Sequence, residues 1–106
     1  MIYELRTYTV KPGTLGDMVK AASTVSRDIR KDDYGKLEGY WSSEIGPLNQ
    51  VMHLWSYGDF AERARLRAEL AKNPRWTSEY TPLIYPLLMR QDVRLLNAIK
   101  APVLAR

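Results

Sequence analysis

Cysteine is absent from this chain of 106 residues, and histidine occurs once, as His53. The lack of cysteine excludes disulfides, thiolate nucleophiles, Cys-ligated zinc and iron–sulfur clusters. A single histidine among scattered carboxylates has no metal-ligand spacing, so we predict no metal site. There is no Gly-rich phosphate loop, and Ser42 and Ser43 have no evident His–Asp relay. These absences leave no recognisable catalytic set.

Long apolar runs and blocks of like charge are also missing. No run approaches the roughly 18 residues of a membrane-spanning helix, and residues 1–6 enter a strand pattern rather than a signal peptide. We therefore expect a cytoplasmic protein without a membrane partner. The net charge of +4 is spread along the chain, which predicts no nucleic-acid partner. With 45% hydrophobic and 26% charged residues, the chain is expected to form one domain over residues 1–106.

The N-terminal part of the chain predicts a strand followed by an amphipathic helix. Residues 2–10 are rich in β-branched and aromatic side chains and end at the breaker in residues 11–13. Thr14 is expected to begin the helix, with Asp17 as its capping-box partner. Apolar residues then recur at spacings of three and four, namely Leu15, Met18, Val19, Ala22, Val25 and Ile29. The helix is expected to end before Tyr34.

The middle of the chain predicts a hairpin with apolar or aromatic side chains on both faces. Residues 37–45 form its first strand, residues 46–49 its turn and residues 50–57 its second strand. Alternation along the strands predicts one face made of Tyr40, Ser42, Glu44, Val51, His53, Trp55 and Tyr57. The opposite face is predicted to hold Trp41, Ser43, Ile45, Met52, Leu54 and Ser56.

The second half predicts two further helical segments and a fourth strand. Asp59 is expected to cap the first helix with Glu62, and Asn73 precedes a short or kinked segment limited by Pro82 and Pro86. The apolar contacts of the capped helix are assigned to Phe60, Ala64, Leu66, Leu70 and Ala71. Trp76, Tyr80, Leu83 or Ile84, and Leu87 share one face of the segment that follows.

Residues 87–99 close the predicted fold as strand four, with a terminal helix as the alternative, and residues 101–106 are expected to form a loose or partner-contacting end. The order β-α-β-β-α-β predicts an α+β, ferredoxin-like fold with a four-stranded antiparallel sheet and both helices on one face. Because the hairpin carries a tryptophan on each face, the bare sheet face would be apolar. Burying several hundred Å² gives on the order of 10 kcal/mol before association costs. We therefore expect a homodimer through the open sheet face.

Several segments of the sequence resemble the NIPSNAP family. The resemblance rests on residues 3–8, 11–13, 39–57, 59–63 and 73–76, and it covers nearly the whole chain. It implies a ferredoxin-like domain that pairs sheet to sheet as a dimeric α/β barrel. That superfamily includes cofactor-free monooxygenases, muconolactone isomerases, heme-binding enzymes and stress-responsive barrels, while the NIPSNAP branch has no general assigned reaction.

His53 is the first candidate site residue, because its unperturbed pKa lies near neutrality. It is a candidate general base or contact for an aromatic ligand, with Tyr40, Trp55 and Tyr57 as predicted neighbours, or else a hydrogen-bonded core residue. Arg6, which shares a face of strand one with Tyr8, either clamps a substrate carboxylate or pairs with a glutamate, Glu4 or Glu44. The register between strands one and three is not fixed by the sequence.

Trp41, Trp55 and Trp76 are candidates to line a pocket for an apolar or aromatic molecule, with ordinary core packing as the alternative. Three functions remain open. The first is a dimer that binds a small organic ligand, as a cofactor-independent oxygenase or isomerase if it is an enzyme. The second is a non-catalytic structural or interaction module. The third is a heme-binding barrel, although we assign no cofactor.

Overall fold

The computed structural model describes residues 1–99. A single antiparallel sheet has the strand order β2-β3-β1-β4, and the helical elements connect the strands in the order of a ferredoxin-like fold. The elements are β1 (Ile2–Val10), α1 (Leu15–Ser23), α2 (Val25–Arg30), β2 (Lys36–Ser42), β3 (Gln50–Tyr57), α3 (Phe60–Lys72), a π-helical turn (Trp76–Tyr80), α4 (Thr81–Ile84), a 3-10 turn (Tyr85–Leu87) and β4 (Leu88–Leu96). The predicted α+β class and four-stranded sheet are confirmed.

The strands largely follow their predicted boundaries. β1 and β3 begin and end where the sequence predicts, because each is rich in β-branched, aromatic and other large apolar residues and lies between turn residues. β4 is a strand, so the alternative of a terminal helix is wrong, and it ends at Leu96 rather than residue 99. β2 ends at Ser42, three residues before the predicted end. The tail at residues 101–106 lies outside the described residues.

The first predicted helix is divided at Thr24 into α1 and α2. The hydroxyls of Ser23 and Thr24 donate to carbonyls four residues earlier, at 2.7 and 2.6 Å, which is a known cause of helix bending. The predicted capping box between Thr14 and Asp17 is wrong, because the Thr14 hydroxyl donates to the Lys11 carbonyl instead. The helical segment also ends earlier than predicted, at Arg30.

The start of α3 follows the predicted cap. The Asp59 carboxylate accepts from the Glu62 N–H at 2.8 Å, and the Glu62 carboxylate accepts from the Gly58 N–H at 2.8 Å. Only Leu66 and Leu70 of its predicted apolar contacts are buried, while Phe60 is 60% exposed and the two alanines lie at the surface. Two leucines and the N-terminal cap therefore hold α3 in place, and charged residues occupy the rest of its sheet-facing side.

Replacing Asp59 with alanine is expected to lower the free energy of unfolding by about 1 kcal/mol, because the first turn of α3 loses its side-chain acceptor. Urea denaturation at fixed protein concentration measures the change. Asp17→Ala is the matched control: Asp17 lies in the first turn of α1, where Thr14 makes no side-chain cap, so a loss of only about 0.3 kcal/mol is expected. Equal losses in the two variants would contradict the assignment.

The sheet has one face covered by the helices and one open face. Val10, Val51 and Trp55 are buried on the covered face beneath Met18 of α1 and Leu66 of α3. Strand registers place Leu5, Leu54 and Trp41 on the open face, where Trp41 is 52% exposed. The Trp41 ring lies against Gly39, where a Cβ would sit 2.1 Å from it, so only glycine allows this packing. No helix within residues 1–99 is long and apolar enough to cross a bilayer.

Candidate functional site

The register between β1 and β3 decides which candidate residues meet. Arg6 lies opposite His53, Glu4 lies opposite Trp55, and Tyr40 of β2 lies opposite His53 on its other side. The hairpin face that carries His53 and Trp55 and the β1 face that carries Glu4 and Arg6 therefore lie on the same, covered side of the sheet. This register could not be derived from the sequence, because strand pairing is a contact between distant segments.

A cavity of about 320 Å³ lies between this face and the helices. Its size is near the lower end of the roughly 300–1,000 Å³ range of small-molecule pockets. Among the predicted site residues, Arg6, Tyr8, His53, Trp55 and Trp76 line it. Residues from three strands and five helical segments thus line one space, and all of them belong to a single chain.

His53 lies in the floor of the cavity and is 6% exposed. The Tyr40 ring contacts it edge-on at 4.4 Å between centroids, and the Tyr8 ring lies at 5.3 Å. Burial, followed by the charges of Arg30 and Arg6, lowers the pKa of His53 to about 3. The imidazole is therefore neutral at pH 7, and its Nε2 has no hydrogen-bond partner among the residues described.

Glu4 is fully buried beside the cavity and is the centre of an ion-pair cluster. Its carboxylate pairs with Arg6 at 3.2 Å and Arg67 at 3.6 Å and accepts a hydrogen bond from Arg63. Burial alone would raise the pKa of Glu4, but the Arg63 hydrogen bond and the three positive charges outweigh it and leave the pKa lowered. The predicted pairing of Arg6 with Glu4 is thus present, whereas Glu44 is exposed at the hairpin turn.

Arg30 is a cavity residue that the sequence analysis missed. Its guanidinium stacks on the Trp55 ring at 3.5 Å and donates to the Tyr34 carbonyl and the Tyr57 hydroxyl at 3.0 and 3.1 Å. The residue is 4% exposed, and it makes no ion pair with any carboxylate in residues 1–99. A signal was available, because Arg30 continues the buried i+4 row of Met18, Ala22 and Ser26 on the apolar side of the helix.

The helical segment after α3 supplies the apolar wall of the cavity. Trp76 and Tyr80 stack with ring centroids 4.4 Å apart, and Trp76 is half-buried. Tyr80 and Ile84 are buried, and both line the cavity. Arg67 reaches the same space from α3 and was also missed, because it is one of three arginines at alternate positions, 63, 65 and 67, and the sequence does not show which of them face inward.

Three predicted ligand contacts do not line the cavity. Trp41 lies on the open face, so its assignment to this pocket is corrected: alternation along β2 sends it to the side opposite Tyr40. Tyr40 and Tyr57 lie on the covered face but do not line the cavity. The Tyr40 ring packs on His53, and the Tyr57 hydroxyl accepts a hydrogen bond from Arg30. No group of three His, Asp or Glu within residues 1–99 is arranged to hold a metal ion.

Comparison with solved structures places this fold among known proteins. A crystal structure described as an antibiotic biosynthesis monooxygenase superposes with a TM-score of 0.69 over 94% of this chain and 100% of that one, at 14% identity, which shows the fold alone. Protein Atu4242 from Agrobacterium tumefaciens superposes with a TM-score of 0.89 at 35% identity, covering 94% of this chain and 95% of that one.

Comparison with other sequences gives the family. A protein named NipSnap homolog from Dictyostelium discoideum is 41% identical over 75 residues, which is 71% of this chain and 33% of that protein. The chain spans about a third of the length of the curated relatives it matches. The NIPSNAP family model matches residues 3–102, a range that contains the cavity residues described above and, apart from Ile2, all four strands. The chain therefore belongs to the NIPSNAP family.

Proposed function

We propose that this NIPSNAP domain binds a small, largely apolar or aromatic organic molecule in the cavity between its sheet and its helices. The observation that supports the proposal is the enclosure of about 320 Å³ by His53, Trp55, Trp76 and Tyr8, which the fold brings together from distant segments. The wall combines aromatic and aliphatic side chains with polar ones, and ligand pockets usually combine apolar surface with a small number of placed polar groups. A core that filled itself with its own side chains would leave no such space.

His53 has the role of a neutral hydrogen-bonding residue in this proposal. A general base works best with a pKa near the operating pH, whereas the pKa of His53 is lowered to about 3 by burial and by Arg30 and Arg6. An oxygenase or isomerase reaction that removes a proton would therefore need another base. Turnover of any compound found to bind would test the prediction of such chemistry. A Soret band after heme addition would test the heme-binding alternative.

The His53→Ala variant tests the proposed site. It is expected to fold with an unchanged far-UV circular dichroism spectrum and to bind aromatic and polyketide-like compounds about tenfold or more weakly than the wild type, because the ligand loses one polar partner and one packing surface. A fluorescence screen with Trp55 and Trp76 as reporters finds the compounds, and calorimetry measures the affinity.

Phe60→Ala is the control, because Phe60 is an exposed aromatic residue outside the cavity wall. It should leave affinity unchanged for every compound. If His53→Ala binds each compound as tightly as Phe60→Ala does, the cavity is not the binding site and the proposal is wrong.

We also propose that two copies pair through the open sheet face. Leu5 and Leu54 are adjacent across the central strands of that face, and Trp41 and Leu96, on the two outer strands, are 52% and 40% exposed. A second copy presents the same apolar surface, so a dimer with two-fold symmetry covers the open face of each copy. The cavity lies on the other side of the sheet, so pairing leaves it accessible from the helices.

A further inference from the structure

The wall of the cavity has an excess of positive charge. Arg6, Arg30 and Arg67 line it, and none of its lining residues within residues 1–99 is a carboxylate. Glu4 lies beside this wall, but its carboxylate already pairs with Arg6, Arg63 and Arg67. One carboxylate thus pairs with three arginines, and Arg30 is not among them, although the charge of Glu4 acts on it from a greater distance. A buried guanidinium without a counter-ion is costly, so an anion from outside the chain would be stabilised here.

Three side chains that line the cavity also carry a buried nitrogen atom without a hydrogen-bond partner among the residues described. The Arg30 Nε, the Trp55 Nε1 and the His53 Nε2 are buried and have no partner among the residues described. All three residues line the cavity and are more than nine-tenths buried. Arg30 and Trp55 can only donate, and neutral His53 donates from Nε2 in one of its tautomers. The site is therefore short of acceptors, and a carboxylate offers two acceptor oxygens.

The wall that the helical segments form suits a ring. Trp76 and Tyr80 present a stacked aromatic pair, and Leu70 and Ile84 extend the apolar surface beside them. Positive charge and aromatic surface thus lie next to each other, with the Arg30 guanidinium 5.9 Å from the centre of the Trp76 ring. A molecule that carries a negative group directly on a flat apolar body matches both features, whereas a fully apolar molecule or a small inorganic anion matches only one of them.

We propose that the ligand of this cavity is a small aromatic carboxylic acid, with its carboxylate at Arg30, Arg6 and His53 and its ring against Trp76 and Tyr80. This inference rests on the proposed function, because it names the class of molecule that the same cavity binds. The charge of the ligand supplies the ion-pair partner that Arg30 lacks, and its oxygens accept from the N–H groups of the side chains in this wall. The Arg30–Trp55 stack holds the guanidinium in place before the ligand arrives.

Three probes test the inference on the wild-type chain of 106 residues: naphthoate, its neutral analogue naphthalenemethanol, and inorganic phosphate. The single histidine gives an unambiguous imidazole NMR signal in the cavity, so binding can be located as well as measured. Naphthoate is expected to bind about tenfold to a hundredfold more tightly than naphthalenemethanol, as a charged hydrogen bond is worth that much. It should also raise the pKa of His53, because a bound anion offsets the charges of Arg30 and Arg6.

Two variants remove charge from the cavity wall, and one removes the same charge elsewhere. Arg30→Gln and Arg67→Gln should each weaken naphthoate binding about tenfold or more while leaving naphthalenemethanol nearly unchanged. Arg75→Gln is the control, because Arg75 is an exposed arginine paired with Asp28 and Glu79 outside the wall. Arg67 is only partly buried, so its variant keeps the test informative if Arg30→Gln does not fold.

The outcomes separate the inference from the proposed function. Equal affinity for naphthoate and naphthalenemethanol, with both shifting the His53 signal, would overturn the inference and leave the proposed function standing. Phosphate binding as tight as naphthoate would overturn the aromatic part, since the ring would then contribute nothing. If no probe shifts the His53 signal and the wider screen of aromatic compounds also finds none that binds, both the inference and the proposed function are wrong.

Discussion

Replacing Glu4 with glutamine is expected to lower the free energy of unfolding by about 3 kcal/mol, because removing one partner of a buried ion pair leaves the other charge uncompensated. The carboxylate is fully buried and pairs with Arg6, Arg63 and Arg67, so the variant places three guanidinium groups around a neutral amide. The figure is at the low end for such pairs because Arg63 and Arg67 keep some solvent exposure. The melting temperature should fall by about 10–20 °C, measured at fixed protein concentration.

The loss should depend on pH in a defined direction. The pKa of Glu4 is lower in the folded protein than its ordinary value, so its contribution is complete above the unfolded pKa of about 4.3 and disappears as the pH falls through the folded value. The difference in stability between wild type and Glu4→Gln should therefore be constant at neutral pH and shrink below about pH 4. Urea denaturation between pH 3 and pH 7 measures it.

Glu69→Gln is the matched control for this prediction. Glu69 also pairs with an arginine, Arg65 at 3.2 Å, but both side chains are more than half exposed, so the change should cost less than about 0.5 kcal/mol. A similar small loss in Glu4→Gln would mean that the buried cluster does not stabilise the fold. A difference between wild type and Glu4→Gln that grows toward acid pH would contradict the lowered pKa.

Replacing Leu54 with arginine is expected to convert the proposed dimer into a monomer. Leu54 lies between Leu5 of β1 and Gly39 of β2 at the centre of the open face, so the variant places two unpaired charges in the middle of a symmetric interface. Burying them without partners should weaken association by about a hundredfold or more. Light scattering coupled to size exclusion, across a dilution series from micromolar concentration, gives the mass and the dissociation constant.

The fold should survive this change, since arginine at position 54 projects into water in the monomer. Leu83→Arg is the control: Leu83 is 49% exposed on α4, on the helical side of the molecule, and its replacement should leave the dimer intact. A wild-type chain that is monomeric at micromolar concentration would end the dimer proposal. So would a Leu54→Arg variant with the same mass and dissociation constant as the Leu83→Arg control.

The local features of this fold were predictable because they depend on neighbours in the chain. The bounds of β1 and β3 follow from composition between turn residues, and the Asp59 cap follows from a carboxylate three residues before Glu62. The failures have equally local causes. Ser23 and Thr24 bend the first helix through their own hydroxyls, which an apolar stripe does not reveal.

The site was less predictable, since its residues come from segments that meet only after folding. Alternation correctly places Tyr40 with His53 within one hairpin, and it also sends Trp41 to the opposite face, so Trp41 is no part of the cavity. The sequence analysis did not predict that the cavity wall is positively charged. Arg30 and Arg67 are two among 16 basic residues, and nothing local marks them as inward-facing except the row that Arg30 shares with Met18.

The sequence by itself determined the order of strands and helices, the family, and the alternation that gives the hairpin two apolar faces, because these depend on short-range periodicity and on the identity of neighbouring residues. Only the tertiary structure decided that Arg6 lies opposite His53, that Glu4 is surrounded by three arginines, and that Arg30 stacks on Trp55 without a carboxylate partner among the residues described. The physical reason is that register and helix placement are set by contacts between distant segments, and a shift of one residue would exchange the two faces of a strand.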